Sequence, residues 1–287
     1  MNASIPMIFD AQQRRRQRQK LTAGDHDILL RRSAEDIAER VIGMTRDFDN
    51  AFIFAPDILE DLFSAELKDK IKTLHFESSN RLTAKNPEDW SFTAETYDLI
   101  IIHWELHCVN DLPGSMLQIR RALKPDGLFL ACLPGGDTLS TLRQSFLAAD
   151  SQTLNGAIPR IHPFATLQDL AGLMQRAGFA LPVVDSDNLR VRYDDALFLL
   201  RDIQNMGEGT CLIERGRHSL RRDTLMAMRA HYKDHFSDPD GRIYAYFDLL
   251  YATGWAPHES QQKPLKPGSA TTRLADALNT KEIKISD

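Results

Sequence analysis

Tyr97-Asp98-Leu99-Ile100-Ile101-Ile102 and Gly127-Leu128-Phe129-Leu130-Ala131-Cys132-Leu133 are the runs on which the fold turns. Both are nearly continuous in apolar side chains, so a strand built from either leaves no face for water. Between them, Met116 to Leu123 carries apolar residues at helical spacing. Upstream, Ala51-Phe52-Ile53-Phe54 is a similar run ended by Pro56, after which Ile58, Leu59, Leu62 and Phe63 recur at helical spacing. Wholly apolar strands alternating with helices predict an α/β fold, with a mostly parallel sheet covered on both faces. Ligands of such sheets sit beyond the carboxyl ends of the strands, which directs attention to the residues just after Phe54, Ile102 and Leu133.

Working outward, Ser33-Ala34-Glu35-Asp36 resembles a capping box with Asp in the acid position, and Ile37, Val41 and Met44 follow it. That pattern predicts a helix beginning at Ser33. Downstream, Leu167, Leu170, Leu173 and Met174 repeat as a helix, and Leu189, Val191 and Tyr193 alternate as an edge strand entered through Gly178-Phe179. Ala196 to Ile203 predicts another helix, followed by a loop at Met206-Gly207-Glu208-Gly209. Leu220 to Tyr251 predicts an added helical cap that returns to the sheet through Tyr244, Tyr246 and Phe247. The expected organisation is one domain in three parts: a basic helical extension over residues 1–46, the core over 47–195, and the cap, last strand and tail over 196–287.

The chain has 287 residues, 43% of them hydrophobic, enough for a substantial core. Its net charge of -5 gives no global basic surface, which argues against nucleic acid as the main partner. Cys108, Cys132 and Cys211 are odd in number and widely spaced, fitting neither a disulfide framework nor paired zinc knuckles, and point to a reducing compartment. No apolar run approaches the roughly 20 residues that cross a bilayer, which predicts a soluble protein. Arg14, Arg15, Arg16, Arg18 and Lys20 form the one concentrated basic segment, favoured as a solvated first helix. An arm for RNA, acidic lipid or a partner, and a mitochondrial presequence, stay open. The absence of a clear presequence points to a bacterial cytoplasm, with the mitochondrial matrix as alternative.

Leu123-Lys124-Pro125-Asp126-Gly127-Leu128-Phe129-Leu130 resembles the turn into the fifth strand of class I S-adenosylmethionine-dependent methyltransferases, including the malonyl-carrier-protein O-methyltransferase of biotin synthesis. Ile8-Phe9-Asp10, Leu106-His107-Cys108-Val109-Asn110-Asp111-Leu112-Pro113, Gly135-Gly136-Asp137-Thr138-Leu139, His162-Pro163-Phe164, Asn205-Met206-Gly207-Glu208, Gly254-Trp255 with His258-Glu259-Ser260, and Gly268-Ser269-Ala270-Thr271 together resemble the complex I assembly factor 5 family. The resemblance runs along nearly the whole chain. It implies a Rossmann-like class I methyltransferase fold, a subunit of the complex I peripheral arm as partner, and hydroxylation of an arginine on an iron–sulfur subunit. Methylation of a small or carrier-protein acceptor and a non-catalytic assembly chaperone are the alternatives, with peripheral membrane association through a partner left open.

The family carries a glycine-rich loop after its first strand, where the cofactor must approach the backbone closely. Phe52-Ile53-Phe54-Ala55-Pro56-Asp57-Ile58-Leu59 has no glycine, and Pro56 has no N–H. S-adenosylmethionine binding is therefore expected to be weakened, altered or lost. The resemblance makes His107, Asn110 and Asp111 the catalytic candidates, Ala55, Asp57, Glu77 and His103 the cofactor-facing ones, and Asp137 and His162 the substrate-facing ones. Plainer readings stand beside these: Asn110 and Asp111 as a turn and helix cap, Asp137 as a cap, Glu77 as a strand-end acid, and His162 as a satisfied loop histidine. If the chain stays extended, His103, Glu105 and His107 share one face. Two histidines and a carboxylate would suit non-haem iron, but such closely spaced ligands are cramped. Polar residues lining a pocket mouth are the favoured reading, and no metal site is assigned.

Overall fold

The computed structural model describes residues 6–80, 88–154, 156–216, 219–262 and 280. The helices are α1 (Ala11–Arg18), α2 (Ile28–Ile42), α3 (Glu60–Glu66), α4 (Leu112–Ala122), α5 (Ser140–Thr153), α6 (Leu167–Arg176), α7 (Ala196–Asn205) and α8 (Arg222–His235). The strands are β1 (Phe48–Ala55), β2 (Ile71–Ser78), β3 (Tyr97–His103), β4 (Leu123–Pro134), β5 (Ala180–Tyr193) and β6 (Ile243–Trp255). They form a six-stranded sheet in the order β2-β1-β3-β4-β6-β5. The β2, β1, β3 and β4 strands pair in parallel, while β6 runs antiparallel to both β4 and β5.

Strand alternation sends successive side chains to opposite cores. Ala51, Ile53, Leu99, Ile101, Leu128 and Leu130 face one layer, where they meet residues of α2, α3, α5, α7 and α8. Phe52, Phe54, Ile100, Ile102, Phe129 and Leu133 face the other, against α4, α6 and Trp90. This is the covered α/β sheet expected from the apolar runs. Gly178, at a φ of +80°, makes the turn after α6 that admits the β5–β6 ribbon. None of the helices among the described residues is long and apolar enough to cross a membrane.

Two expectations change. The helix predicted from Ser33 is α2, which starts five residues earlier at Ile28. Leu29 and Leu30 continue its buried stripe backward through Ser33, Ala34 and Ile37, so Ser33 lies inside the helix. Its hydroxyl donates to the Leu29 carbonyl instead of capping. The second change concerns the basic segment: α1 is a helix, but Arg14 and Arg18 are buried, leaving only Arg15 and Arg16 of its arginines in solvent.

Residues 1–257 form one compact unit and 258–287 a second, within which the His258 ring contacts the Ser260 hydroxyl at 2.7 Å. Gly268 to Thr271 lie outside the described residues.

Trp90 is fully buried, stacked on Phe92 at 5.3 Å and edge-on to Phe54 at 4.9 Å. Trp90→Ala is expected to cost about 3–5 kcal/mol through the cavity it leaves. Urea denaturation measures this, and a loss under about 1 kcal/mol would show that the aromatic cluster is not part of the cooperative core.

Candidate functional site

At the end of β3 the chain does not stay extended. Trp104 takes a φ of +57°, which a bulky residue rarely adopts, and a single helical turn over Leu106–Cys108 follows. The kink parts the three alternating residues, so the shared face expected of His103, Glu105 and His107 is not formed. The imidazole of His103 turns to α2 and meets Ser33 Oγ at 2.8 Å, whereas Glu105 and His107 join a different network.

Two arginines of α1 supply the other half of that network. The Trp104 carbonyl accepts from Arg14 Nη2 at 2.9 Å and from Arg18 Nη2. Arg14 pairs with Glu208 at 2.9 Å and Glu105 at 3.5 Å, while Arg18 pairs with Glu105 at 2.6 Å and Glu208 at 2.9 Å. All four side chains are at most 9% exposed, so each ion survives burial through the others. Burial opposes the Glu208 charge, yet the Arg14 and Arg18 guanidiniums hold its carboxyl well below the usual range. The N-terminal segment is seated from below by Asn110, whose side-chain oxygen accepts the Ile8 and Phe9 amides at 2.7 and 2.8 Å. Gly207 is required beside it: at φ +70°, a Cβ there would lie 3.1 Å from both Arg18 Cα and the Gln17 carbonyl.

His107 and His162 enter the same centre. His107 Nε2 lies 2.9 Å from Glu208 Oε2, and its Nδ1 is buried without a hydrogen-bond partner. His162 Nδ1 lies 3.5 Å from Cys108 Sγ, and His162 Nε2 accepts the Cys211 amide at 3.0 Å, with Cys211 Sγ 3.5 Å away. Burial pushes the Cys108 thiol up, while a hydrogen bond from Cys108 lowers the Cys211 thiol. His162 and Glu208 also border a cavity of about 200 Å³ whose walls include Trp104, Leu142, Phe146 and Phe247.

The remaining candidates are dispersed. Asp111 caps α4 by accepting the Gly114 amide at 2.9 Å. Asp137 is exposed, and its carbonyl accepts the Ser140 amide as α5 begins. The Ala55 side chain is buried under the sheet end. Asp57 is exposed and tied to Asn80 by two hydrogen bonds, its own amide donating to Asn80 Oδ1 at 2.9 Å and its carboxylate accepting from Asn80 Nδ2 at 2.8 Å. Glu77 is half-buried on β2 beside Tyr97. Of the expected site residues, the fold brings His107 and His162 together, places Asn110 next to them as a clamp, and leaves Ala55, Asp57, Glu77, His103, Asp111 and Asp137 elsewhere. Arg14, Arg18, Glu105, Glu208, Cys108 and Cys211 complete the centre. Of these, Cys108 and Glu208 lie in motifs that carry the family resemblance and Glu105 in the alternation with His103 and His107, whereas Arg14 and Arg18 read as part of a solvated helix.

Two measurements probe this arrangement. Arg18→Met leaves two buried carboxylates with Arg14 as their one guanidinium and is expected to cost about 3–5 kcal/mol, against about 0.5 kcal/mol or less for exposed Arg16→Met; equal, small losses would mean that the network is not closed in solution. His103 tests a different property. Ser33 donates to Leu29, so it accepts from Trp104 Nε1–H and His103 Nε2–H, leaving His103 Nδ1 buried and unpartnered. Burial, reinforced by Arg18, lowers its pKa from 6.5 to about 3. The unfolded chain therefore takes up a proton that the folded chain refuses, and stability drains as pH falls below 6.5. The stability difference between wild type and His103→Gln should begin to change near pH 6.5 and approach a slope of about 1.4 kcal/mol per unit by about pH 5. A pH-independent difference would show that His103 titrates normally.

Comparison with known proteins places the chain in a family. Residues 36–182 match a family model described as a methyltransferase domain. The protein named arginine-hydroxylase NDUFAF5, mitochondrial, of Danio rerio is 36% identical over 94% of this chain and 89% of its own length. The Homo sapiens protein of the same name is 33% identical over 94% and 83%. The malonyl-[acyl-carrier protein] O-methyltransferase of Xylella fastidiosa is 34% identical over 56% of this chain and 52% of its own. Among solved structures, a methyltransferase-like protein from Bacillus halodurans C-125 superposes with a TM-score of 0.51 at 10% identity, covering 78% of this chain and 98% of that one, which is a likeness of fold. The chain thus belongs to the methyltransferase-domain family, alongside full-length relatives named arginine-hydroxylase NDUFAF5.

Proposed function

We propose that the chain modifies an arginine on an iron–sulfur subunit of the respiratory complex I peripheral arm, adding oxygen as its relatives' name describes. The observation that carries this reading is the buried carboxylate pair Glu105 and Glu208, already receiving two guanidiniums, with Glu208 also in the wall of the apolar cavity. Paired carboxylates match the planar, many-donor guanidinium group. Apolar walls such as Leu142, Phe146 and Phe247 suit the methylene stem that an arginine carries behind its charge. A substrate arginine reaching Glu208 would have to share it with Arg14, Arg18 and His107, which stay seated.

Methyl transfer is the second reading, supported by the similarity to the malonyl-carrier-protein enzyme. The groups at its usual cofactor position do not fit S-adenosylmethionine. Pro56 has no N–H, the Asp57 amide is spent on Asn80, Leu59 is fully buried, and the Trp104 carbonyl beyond β3 is taken by Arg14 and Arg18. With Pro56 lacking an N–H and the Asp57 and Leu59 amides bonded within the chain, the loop is a poor cradle for the methionine and ribose.

Peptide mass spectrometry of the iron–sulfur subunit from cells with and without this chain tests the proposal. An arginine peptide should gain the mass of one oxygen only when the chain is present. A gain of one methylene would replace hydroxylation with methyl transfer. An unmodified subunit in cells whose complex I still depends on the chain would make it an assembly chaperone.

A further inference from the structure

His107, Cys108 and His162 offer one ligating atom each, and these atoms all lie within 4.8 Å of one another. All three residues are at most 9% exposed. We propose that they form a binding site for a late first-row divalent metal, zinc or ferrous iron, with the cavity supplying the open coordination position. The site stands whether or not arginine is the substrate.

Three features besides proximity point to a metal. First, His107 is prepared on both sides: Nε2 faces the Glu208 carboxylate at 2.9 Å, and Nδ1 is buried with no nitrogen or oxygen partner, the Cys108 thiol being the polar group near the ring. A histidine that gives one N–H to a carboxylate and keeps its other nitrogen bare is the orientation metal-bound imidazoles adopt. A buried ring nitrogen with nothing to accept is otherwise an unmatched cost. Second, two imidazoles and one thiolate form a borderline-soft set, preferred by zinc and its neighbours over magnesium or calcium. Third, the cluster has three protein ligands and one of them, His162, also lines the cavity, as in catalytic sites that keep an open position, whereas a structural site closes with a fourth side chain.

Metal entry has a definite proton balance. Cys108 gives up its thiol proton to solvent as the sulfur–metal bond forms. His162 Nε2 now accepts the Cys211 amide, which leaves the neutral ring's proton on Nδ1, facing Cys108 Sγ. When Nδ1 takes the metal, that proton moves to Nε2, whose acceptor becomes Cys211 Sγ at 3.5 Å, and the Cys211 amide gives up its bond. Cys211 is therefore a positioning residue, and Glu208 carries the same duty for His107.

The decisive experiment uses the full-length protein without a histidine tag, dialysed against Co²⁺ and assayed for metal content and absorption. One Co²⁺ per chain is expected, with an intense sulfur-to-cobalt charge-transfer band that Zn²⁺ abolishes by displacement. Cys108→Ser should remove the band, while Cys132→Ser, which changes a buried thiol on β4 outside the cluster, should keep it. Glu208→Gln should keep the band with affinity weakened roughly tenfold or more. No retained cobalt in the wild type overturns the proposal, as does cobalt held without a thiolate band, for example by the stacked pair His231 and His235 on α8. A band that survives Cys108→Ser does the same. If that variant fails to fold, His162→Asn is read in its place, and wild-type affinity in it overturns the site.

Discussion

Four buried ions around one carbonyl oxygen hold this molecule's functional end together. Arg14 and Arg18 reach in from α1, Glu105 comes from the kink after β3, Glu208 follows α7, and the Trp104 carbonyl accepts from both guanidiniums. A buried charge without its partners costs several kcal/mol, so none of these elements can leave alone. The left-handed Trp104 backbone follows from the same demand, because that conformation turns its carbonyl toward the arginines. Gly207 is needed for the approach of α1, and Glu208, anchored by the arginines, fixes the orientation of His107. The metal-ligating cluster lies one hydrogen bond beyond the ion network.

The sheet was legible because its signals are local. Apolar runs at 51–54, 97–102 and 127–133 can be buried only as covered strands, and Pro56 and Gly178 mark real turns. Asp111 was likewise readable as a helix cap from the four residues around it. The site was only half legible. His107 and His162 stood out through their motifs, but the partners that define them lie far off in sequence: Arg14 is 194 residues from Glu208, and His162 is 49 from Cys211. Such contacts leave no periodic trace. An arginine-rich helix reads as solvated because charge is normally exposed, and only the carboxylates opposite Arg14 and Arg18 reverse that rule. Three scattered cysteines likewise hide a pair that folding brings to one histidine. The extended reading of residues 103–107 failed at one dihedral angle, since Trp104 is not a residue from which positive φ is expected.

The fold is shared with methyltransferases, but chemistry resides in the groups at the strand ends. Here those groups are a pair of carboxylates holding guanidiniums, a thiol–imidazole cluster, and an apolar cavity that Glu208 and His162 help to wall. The crevice where doubly wound sheets take their ligands is still the place where function gathers. The side chains there suit the guanidinium recognition and metal ligation proposed above.

Calorimetric titration of the full-length protein with S-adenosylmethionine is the most direct test that the crevice is closed to the usual cofactor. Closure by Arg14, Arg18 and the Asp57–Asn80 pair predicts no saturable heat. Saturable binding of one cofactor per chain would contradict it, showing that the ion network opens for a nucleoside ligand and that the chain retains the means of methyl transfer.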